Sequence, residues 1–180
     1  AYVSPTPTAP PASIAHPEAP PLAAAAIERW FAGSAADAAT RVEVVADTGS
    51  TNEDLLMRCR REQPPGPVLR ATDHQSEGRG RRQRPWLARP RTALLFSLAV
   101  PLPSGVAALP AITLASGVTL AEFLRGRGVP VTLKWPNDLM YQGRKLGGIL
   151  CELAVDPGGR TTLVIGIGIN GWLDAGERAA

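Results

Sequence analysis

Two stretches of this 180-residue chain gather cations beside glycine. In HQSEGRGRRQRPW, Arg79, Arg81, Arg82 and Arg84 fall within six residues, with Gly78 directly before them and Gly80 among them. Like charges this close repel and glycine leaves the backbone loose. The spacing therefore predicts a loop that moves until bidentate guanidinium contacts to an anion order it. A solvated basic loop and a patch for nucleic-acid backbone fit the same residues. A dinucleotide fingerprint does not, since its third glycine is absent and no helix opens after it. In LKWPNDLMYQGRKLGGILCEL, Lys134 ends a strand, Asn137 and Asp138 sit in a Pro-initiated turn, and Lys145 begins the next strand. A hairpin would bring these groups to one mouth. Two lysines and a carboxylate suit phosphoryl or nucleotidyl chemistry, with lysine neutralising charge on a phosphate and Asp138 helping to hold a hydrated Mg2+. The plain alternative is a surface ion pair worth about 0 to 1 kcal/mol. Gly147 and Gly148 inside the strand argue against it, because interior glycines weaken a strand and mark close approach of a ligand.

Two further stretches carry polar and bare surfaces. In DTGSTNEDLLMRCRR, Ser50 can cap a helix with Glu53 three residues on, a capping box ahead of Leu55 and Leu56. The same helix start, with Ser50, Thr51 and Asn52, also offers N–H donors and hydroxyls to a polar ligand. In LVIGIGINGW, Gly166 and Gly168 alternate along an apolar strand with Asn170 at its end. Alternation puts both glycines on one face, making a slot beside Gly148 for a flat ligand or for tight packing of a helix.

The elements that must position these groups follow from pattern. Residues 1–21 are Pro- and Ala-rich and nearly uncharged, a disordered tail by composition. A short helix over 22–32, a strand RVEVVA, the Ser50 helix and a strand PVLRATD come next. The Arg loop spans 74–90, followed by a buried strand ALLFSLAV. A helix over 107–125 shows apolar spacing at Ile112, Ala115, Val118, Ala121 and Leu124, with Gly126 as C-cap. Then VTLKW, KLGGILCELAV and TTLVIGIGIN, separated by turn-rich PNDLMYQGR and DPGGR, read as neighbouring antiparallel strands. The class is α+β, a mixed and mainly antiparallel sheet flanked by helices.

Composition narrows the rest. Apolar residues make up 44% and charged residues 19%, and no apolar run approaches the roughly 20 residues of a membrane-spanning helix. Nineteen cations against sixteen acids give no global excess for nucleic acid. Cys59 and Cys151 form neither a disulfide framework nor a metal pair, which points to a reducing, cytoplasmic setting.

Taken together, STN, GRGRRQRPW, KWPND, KLGGIL and GIGIN, in this order and spacing over about residues 42–172, resemble the catalytic domain of biotin protein ligases. The resemblance implies a fold related to class II aminoacyl-tRNA synthetases. It implies that biotin and MgATP give biotinyl-5′-AMP and pyrophosphate, and that the adenylate acylates a lysine of a biotin carboxyl carrier protein. It implies that Ser50, Thr51, Asn52 and Gln75 meet the biotin ring, while Gly78, Arg79, Gly80 and Arg81 close on biotin and the adenylate phosphate. The same resemblance implies that Arg81 retains the intermediate and that Trp86 packs over the closed loop. Lys134, Asn137 and Asp138 fall at the nucleotide end, and Lys145 contacts both the biotin carboxylate and the α-phosphate. Gly148, Leu150, Gly166, Ile167 and Gly168 form the pocket walls, with Asn170 near the adenylate. Lys145, Arg81 and Asp138 are the expected catalytic set, with no protein metal ligands.

The sequence departs from the family pattern at Gln83, where glycine is usual, and at Glu77, where a small or neutral residue is common. Gln83 should restrict the loop, and Glu77 supplies a partner for Arg79 or Arg81. A DNA-binding helix-turn-helix is absent before the catalytic region, as in the ligase-only type, so no specific DNA is expected as a partner. The region 22–180 is expected to be a catalytic domain lacking its last part and the family's C-terminal β-barrel. A lipoate or octanoate ligase or transferase of the same fold is the nearest alternative. A non-catalytic biotin- or nucleic-acid-binding module is the alternative of another class.

Overall fold

The computed structural model describes residues 21–31, 40–103 and 109–171. The expected Pro/Ala tail lies outside them except for its last residue. Seven strands form one sheet: β1 (Arg41–Thr48), β2 (Val68–Gln75), β3 (Ala93–Pro101), β4 (Thr132–Lys134), β5 (Asp138–Tyr141), β6 (Arg144–Val155) and β7 (Thr161–Asn170). Among the described residues three α-helices accompany it, α1 (Ala24–Phe31), α2 (Thr51–Arg61) and α3 (Leu109–Arg125), with a single 3-10 turn at Arg81–Gln83. The strand order is β1-β2-β3-β7-β6-β5-β4. β1 and β2 run parallel with α2 as the crossover between them, and every other neighbouring pair is antiparallel. The α+β expectation holds.

The two longer helices cover opposite faces. α2 lays Leu55, Leu56 and Cys59 against Val68, Ala99, Ala154 and Val164, and each of the larger apolar side chains contributes about 1.5 to 3 kcal/mol on burial. α3 packs Ala121 against Val131 and Leu139, and a Cβ on Gly117 would lie 3.2 Å from Leu133 and 3.6 Å from Ile149. Successive strand residues point to opposite faces. With Leu139 and Ile149 on the α3 side, Asp138 and Gly148 are left on the α2 side, where the cleft opens.

Three details differ from the expected elements. Val118 is 40% exposed and Ala115 is exposed, while Gly117 and Ala121 are buried. The helix has turned so that its glycine, which allows closer approach than valine, meets the sheet. The left-handed residue after α3 is Gly128 (φ 82°), not Gly126, and the Val129 N–H closes the end by donating to the Leu124 carbonyl at 3.0 Å. The segment PNDLMYQGR is more than a turn, because it contains β5. A two-residue turn of Gln142 (φ 49°) and Gly143 (φ 75°) joins β5 to β6, and two left-handed residues match the twist of a tight hairpin.

Candidate active site

Register places the cleft floor. Leu95, Gly168, Gly148, Asp138 and Lys134 are paired in turn across β3, β7, β6, β5 and β4, forming one row on the α2 side. Ser97, Gly166 and Leu150 form the next row, two residues along. A cavity of about 670 Å3 stands over these rows. That volume lies within the range of small-ligand sites.

One end is a buried polar network. The Thr51 N–H donates to Gln75 Oε1 at 2.8 Å, and the Thr51 and Ser97 hydroxyls are 2.7 Å apart. Ser97 donates to Asn52 Oδ1 at 2.6 Å, and Asn52 Nδ2 donates to Glu152 at 2.8 Å. Ser97 gives its one proton to Asn52, and the single Thr51 hydroxyl proton is shared between Ser97 and Gln75 Oε1, 3.0 Å away. The Gln75 oxygen is then occupied by the Thr51 N–H, which leaves the Gln75 amide N–H groups for a ligand carbonyl. The open helix start expected here is thus partly spent: Ser50 Oγ accepts from Glu53 N at 3.5 Å and Gln75 takes the Thr51 N–H. The capping box is half-formed, since the Glu53 carboxylate turns to Arg79 and Arg60.

The bared strands receive side chains of the protein itself. A Cβ on Gly166 would collide with the Asn52 amide, and one on Gly168 would lie 2.7 to 3.0 Å from the Trp86 ring. The expected slot therefore seats Trp86 and Asn52. At Gly78, a Cβ would meet the Trp86 carbonyl at 2.6 Å, so a bare residue is needed for the Trp86 N–H to reach the Gly78 carbonyl at 2.7 Å. Gly80 N donates to the Arg84 carbonyl at 2.8 Å and pinches the loop again. Between these ties Arg82 (φ 57°) and Gln83 (φ 59°) occupy the left-handed region that favours glycine. Trp86 Nε1 and Asn170 Oδ1 are buried without hydrogen-bond partners.

The other end is cationic. Lys145 Nζ pairs with Asp138 at 2.8 Å and stands 5.5 Å from the Trp86 ring centroid, within cation–π reach. Arg81, Arg82 and Arg84 line the cavity with no ion-pair partner among the described residues. Arg79 pairs with Glu53 and Glu152, not with Glu77, whose backbone N–H is tied to the Gly49 carbonyl. Asn137 binds β6 instead of facing the cavity with its amide nitrogen: Nδ2 donates to the Ile149 carbonyl, and the Ile149 N–H donates to the Asn137 carbonyl, both at 3.0 Å.

Ser50, Thr51, Asn52, Gln75, Arg79, Gly80, Arg81, Trp86, Asn137, Asp138, Lys145, Gly148, Leu150, Gly166, Ile167 and Gly168 all line this cavity; Gly78, Lys134 and Asn170 do not. Lys134 stands at the exposed edge of the floor row. Sequence reasoning missed Ser97 and Glu152. Ser97 has the period-2 spacing of a buried strand as its only signal, and Glu152 is an acid inside an otherwise apolar strand. Cys59 and Cys151 are both free, and burial pushes both thiols up, so each stays protonated at neutral pH and neither supplies a thiolate nucleophile.

Residues 44–170 match the sequence profile of the biotin/lipoate A/B protein ligase family. The chain is 42% identical over 130 residues to the bifunctional ligase/repressor BirA of Escherichia coli, an overlap of 72% of this chain and 40% of that protein. It is 36% identical over 135 residues to a biotin–(acetyl-CoA-carboxylase) ligase of Mycobacterium tuberculosis, covering 72% of this chain and 49% of that protein. The chain thus spans about half, or less, of the length of these relatives. Among solved structures, the biotin acetyl coenzyme A carboxylase synthetase from Helicobacter pylori with bound biotinylated ATP has a TM-score of 0.65 at 31% identity, over 76% of this chain and 63% of that one.

Proposed function

Because the chain belongs to the biotin/lipoate A/B protein ligase family, we propose that its cleft activates biotin with ATP and passes it to a lysine of a biotin carboxyl carrier protein. The observation that carries this reading is the meeting, in one cavity, of Lys145 and the arginine loop with the Thr51–Ser97–Asn52 network over a glycine-bared floor. Similarity to a synthetase holding biotinylated ATP supports the pair of occupants.

The chemistry divides into two displacements. The biotin carboxylate oxygen attacks the α-phosphorus, the bond to the β-phosphate oxygen breaks, and pyrophosphate leaves. The carrier lysine amine then attacks the acyl carbon of the mixed anhydride and AMP leaves. Two anions must approach in the first step, so charge neutralisation and positioning supply most of the rate. In this reading Lys145, now paired with Asp138, exchanges that partner for substrate and bridges carboxylate and α-phosphate. In the same reading Arg81 holds the adenylate, and Gln75 with the buried hydroxyls reads the ureido head.

ATP would arrive with Mg2+. Such an ion is carried on the phosphates with most of its waters. Asp138 is the carboxylate of the cleft that would meet it, and the ion supplies charge neutralisation at the phosphates. No helix among the described residues is long and apolar enough to cross a membrane. With both cysteines free, the reading favours a reducing cytoplasm.

Native mass spectrometry of the protein mixed with biotin, ATP and Mg2+ tests this reading. A retained biotinyl-5′-AMP is expected, and lipoate in place of biotin should leave none. An adduct with lipoate alone would transfer the site to lipoate handling. Salt-sensitive nucleic-acid binding without any adduct would make the loop a polyanion patch.

A further inference from the structure

The four arginines of the loop are not equivalent. Arg79 is met by two carboxylates, Glu53 from the first turn of α2 and Glu152 from β6, the latter at 3.4 and 3.5 Å from Nη2. All three side chains are largely shielded from solvent, with 23%, 35% and 28% exposure. Pairs so placed are less screened than surface pairs. Both acids meet Nη2 while Nε is buried without a hydrogen-bond partner, so an incoming phosphate would have to displace an acid from Nη2 to engage that edge of the guanidinium. Arg81, Arg82 and Arg84 face the cavity without such partners.

We propose that Arg79 is the anchor of the arginine loop, and that Glu152 and Glu53 are positioning residues that hold the loop over the cleft before any substrate binds. Glu152 does a second thing: its carboxylate also accepts from Asn52 Nδ2 at 2.8 Å. One acid therefore touches both the loop and the buried polar network, so loop position and the head-group pocket are set together. With Trp86 seated on Gly168, the loop is pinned at both ends, and Arg82 and Gln83 between them carry positive φ. The consequence for the adenylate rests on the functional reading above; the anchor itself does not.

Trypsin cleavage of the ligand-free protein after Arg81 or Arg82 reads the anchor directly. In the Glu53→Gln, Glu152→Gln double variant cleavage should rise about tenfold with little change in melting temperature, since local opening and global unfolding are separate equilibria. The Glu152→Gln change keeps a side-chain oxygen to accept from Asn52. Glu53→Gln alone, which leaves the Asn52 contact untouched, should give about threefold. It serves if the double variant does not fold. In turnover by the Glu53→Gln variant, release of biotinyl-5′-AMP should quicken while its formation does not slow, a split that a general loss of stability does not produce. Unchanged cleavage in both variants would overturn the proposal. So would an Arg79→Gln variant that raises the KM for ATP while leaving ligand-free cleavage unaltered, because Arg79 would then be a phosphate ligand. A chain that forms no biotinyl-5′-AMP but still shows the faster cleavage would sink the ligase reading and leave the anchor standing.

Discussion

Ser97 sits at the centre of the polar network, fully buried, donating to Asn52 and facing the Thr51 hydroxyl. Ser97→Ala leaves Asn52 Oδ1 without its donor, and an unsatisfied buried acceptor costs about 1 to 3 kcal/mol. The KM for biotin should therefore rise by about tenfold with a smaller effect on the KM for ATP, as steady-state kinetics would show. Gly168→Ala acts on the opposite wall. Its Cβ would press on the Trp86 ring, and relieving such overpacking costs about 1 to 3 kcal/mol. The expected outcome is a displaced indole, seen as faster proteolysis of the loop. An unmoved loop would mean that the glycine is not there to seat Trp86. At this scale the sequence was informative wherever a residue type is chemically unusual for its position, as with alternating glycines, clustered arginines and Lys145. Ser97 was not legible, because a small hydroxyl in a buried strand has no pattern distinguishing a satisfied core serine from the hub of a site. The partnering of Arg79 was not legible either, since it depends on where two acids 99 residues apart are brought together.

Strands and helices were read from period and punctuation, and those with long periods came through: β3, β6, β7 and α2 all lie where alternation or capping places them. β5 did not, because four residues between two turn signals carry too short an alternation to separate from a loop. Its turn offers a test. Gln142 holds φ 49° ahead of Gly143, and asparagine tolerates that region better than glutamine, which makes Asn-Gly the favoured two-residue hairpin. Gln142→Asn should stabilise the protein by about 0.5 kcal/mol, detectable as a raised midpoint in urea with no change in activity. Gln83 (φ 59°) makes the parallel case in the arginine loop. Gln83→Gly removes a left-handed cost of roughly 1 kcal/mol but adds backbone freedom. The loop should then be cut faster by protease when empty and be protected as well as the parent when biotin, ATP and Mg2+ are present.

Across the molecule, β1, α2 and β2 are cross-tied by Glu43, which pairs with Arg41, Arg58 and Arg70. Hydrogen bonds from Arg58 hold its carboxyl below the usual carboxylate range, against the opposing effect of partial burial, with the charges of Arg58 and Arg41 adding to the depression. A carboxyl depressed in the folded state contributes stability above its unfolded pKa of about 4.3 and loses it as pH falls through the folded value. Glu43→Gln should lower the melting temperature at pH 7 and flatten its decline between about pH 5 and pH 3; an unchanged acid profile would discount the cluster. The parallel βαβ start and the antiparallel remainder bring the α2 N-terminus, the arginine loop and Lys145 to one side of the sheet. Biotin-dependent exchange of labelled pyrophosphate into ATP asks whether that juxtaposition does the proposed work. The protein should catalyse exchange only with biotin present, and Lys145→Ala should slow it by at least about a hundredfold. Exchange that needs no biotin, or that survives Lys145→Ala at full rate, would contradict the account.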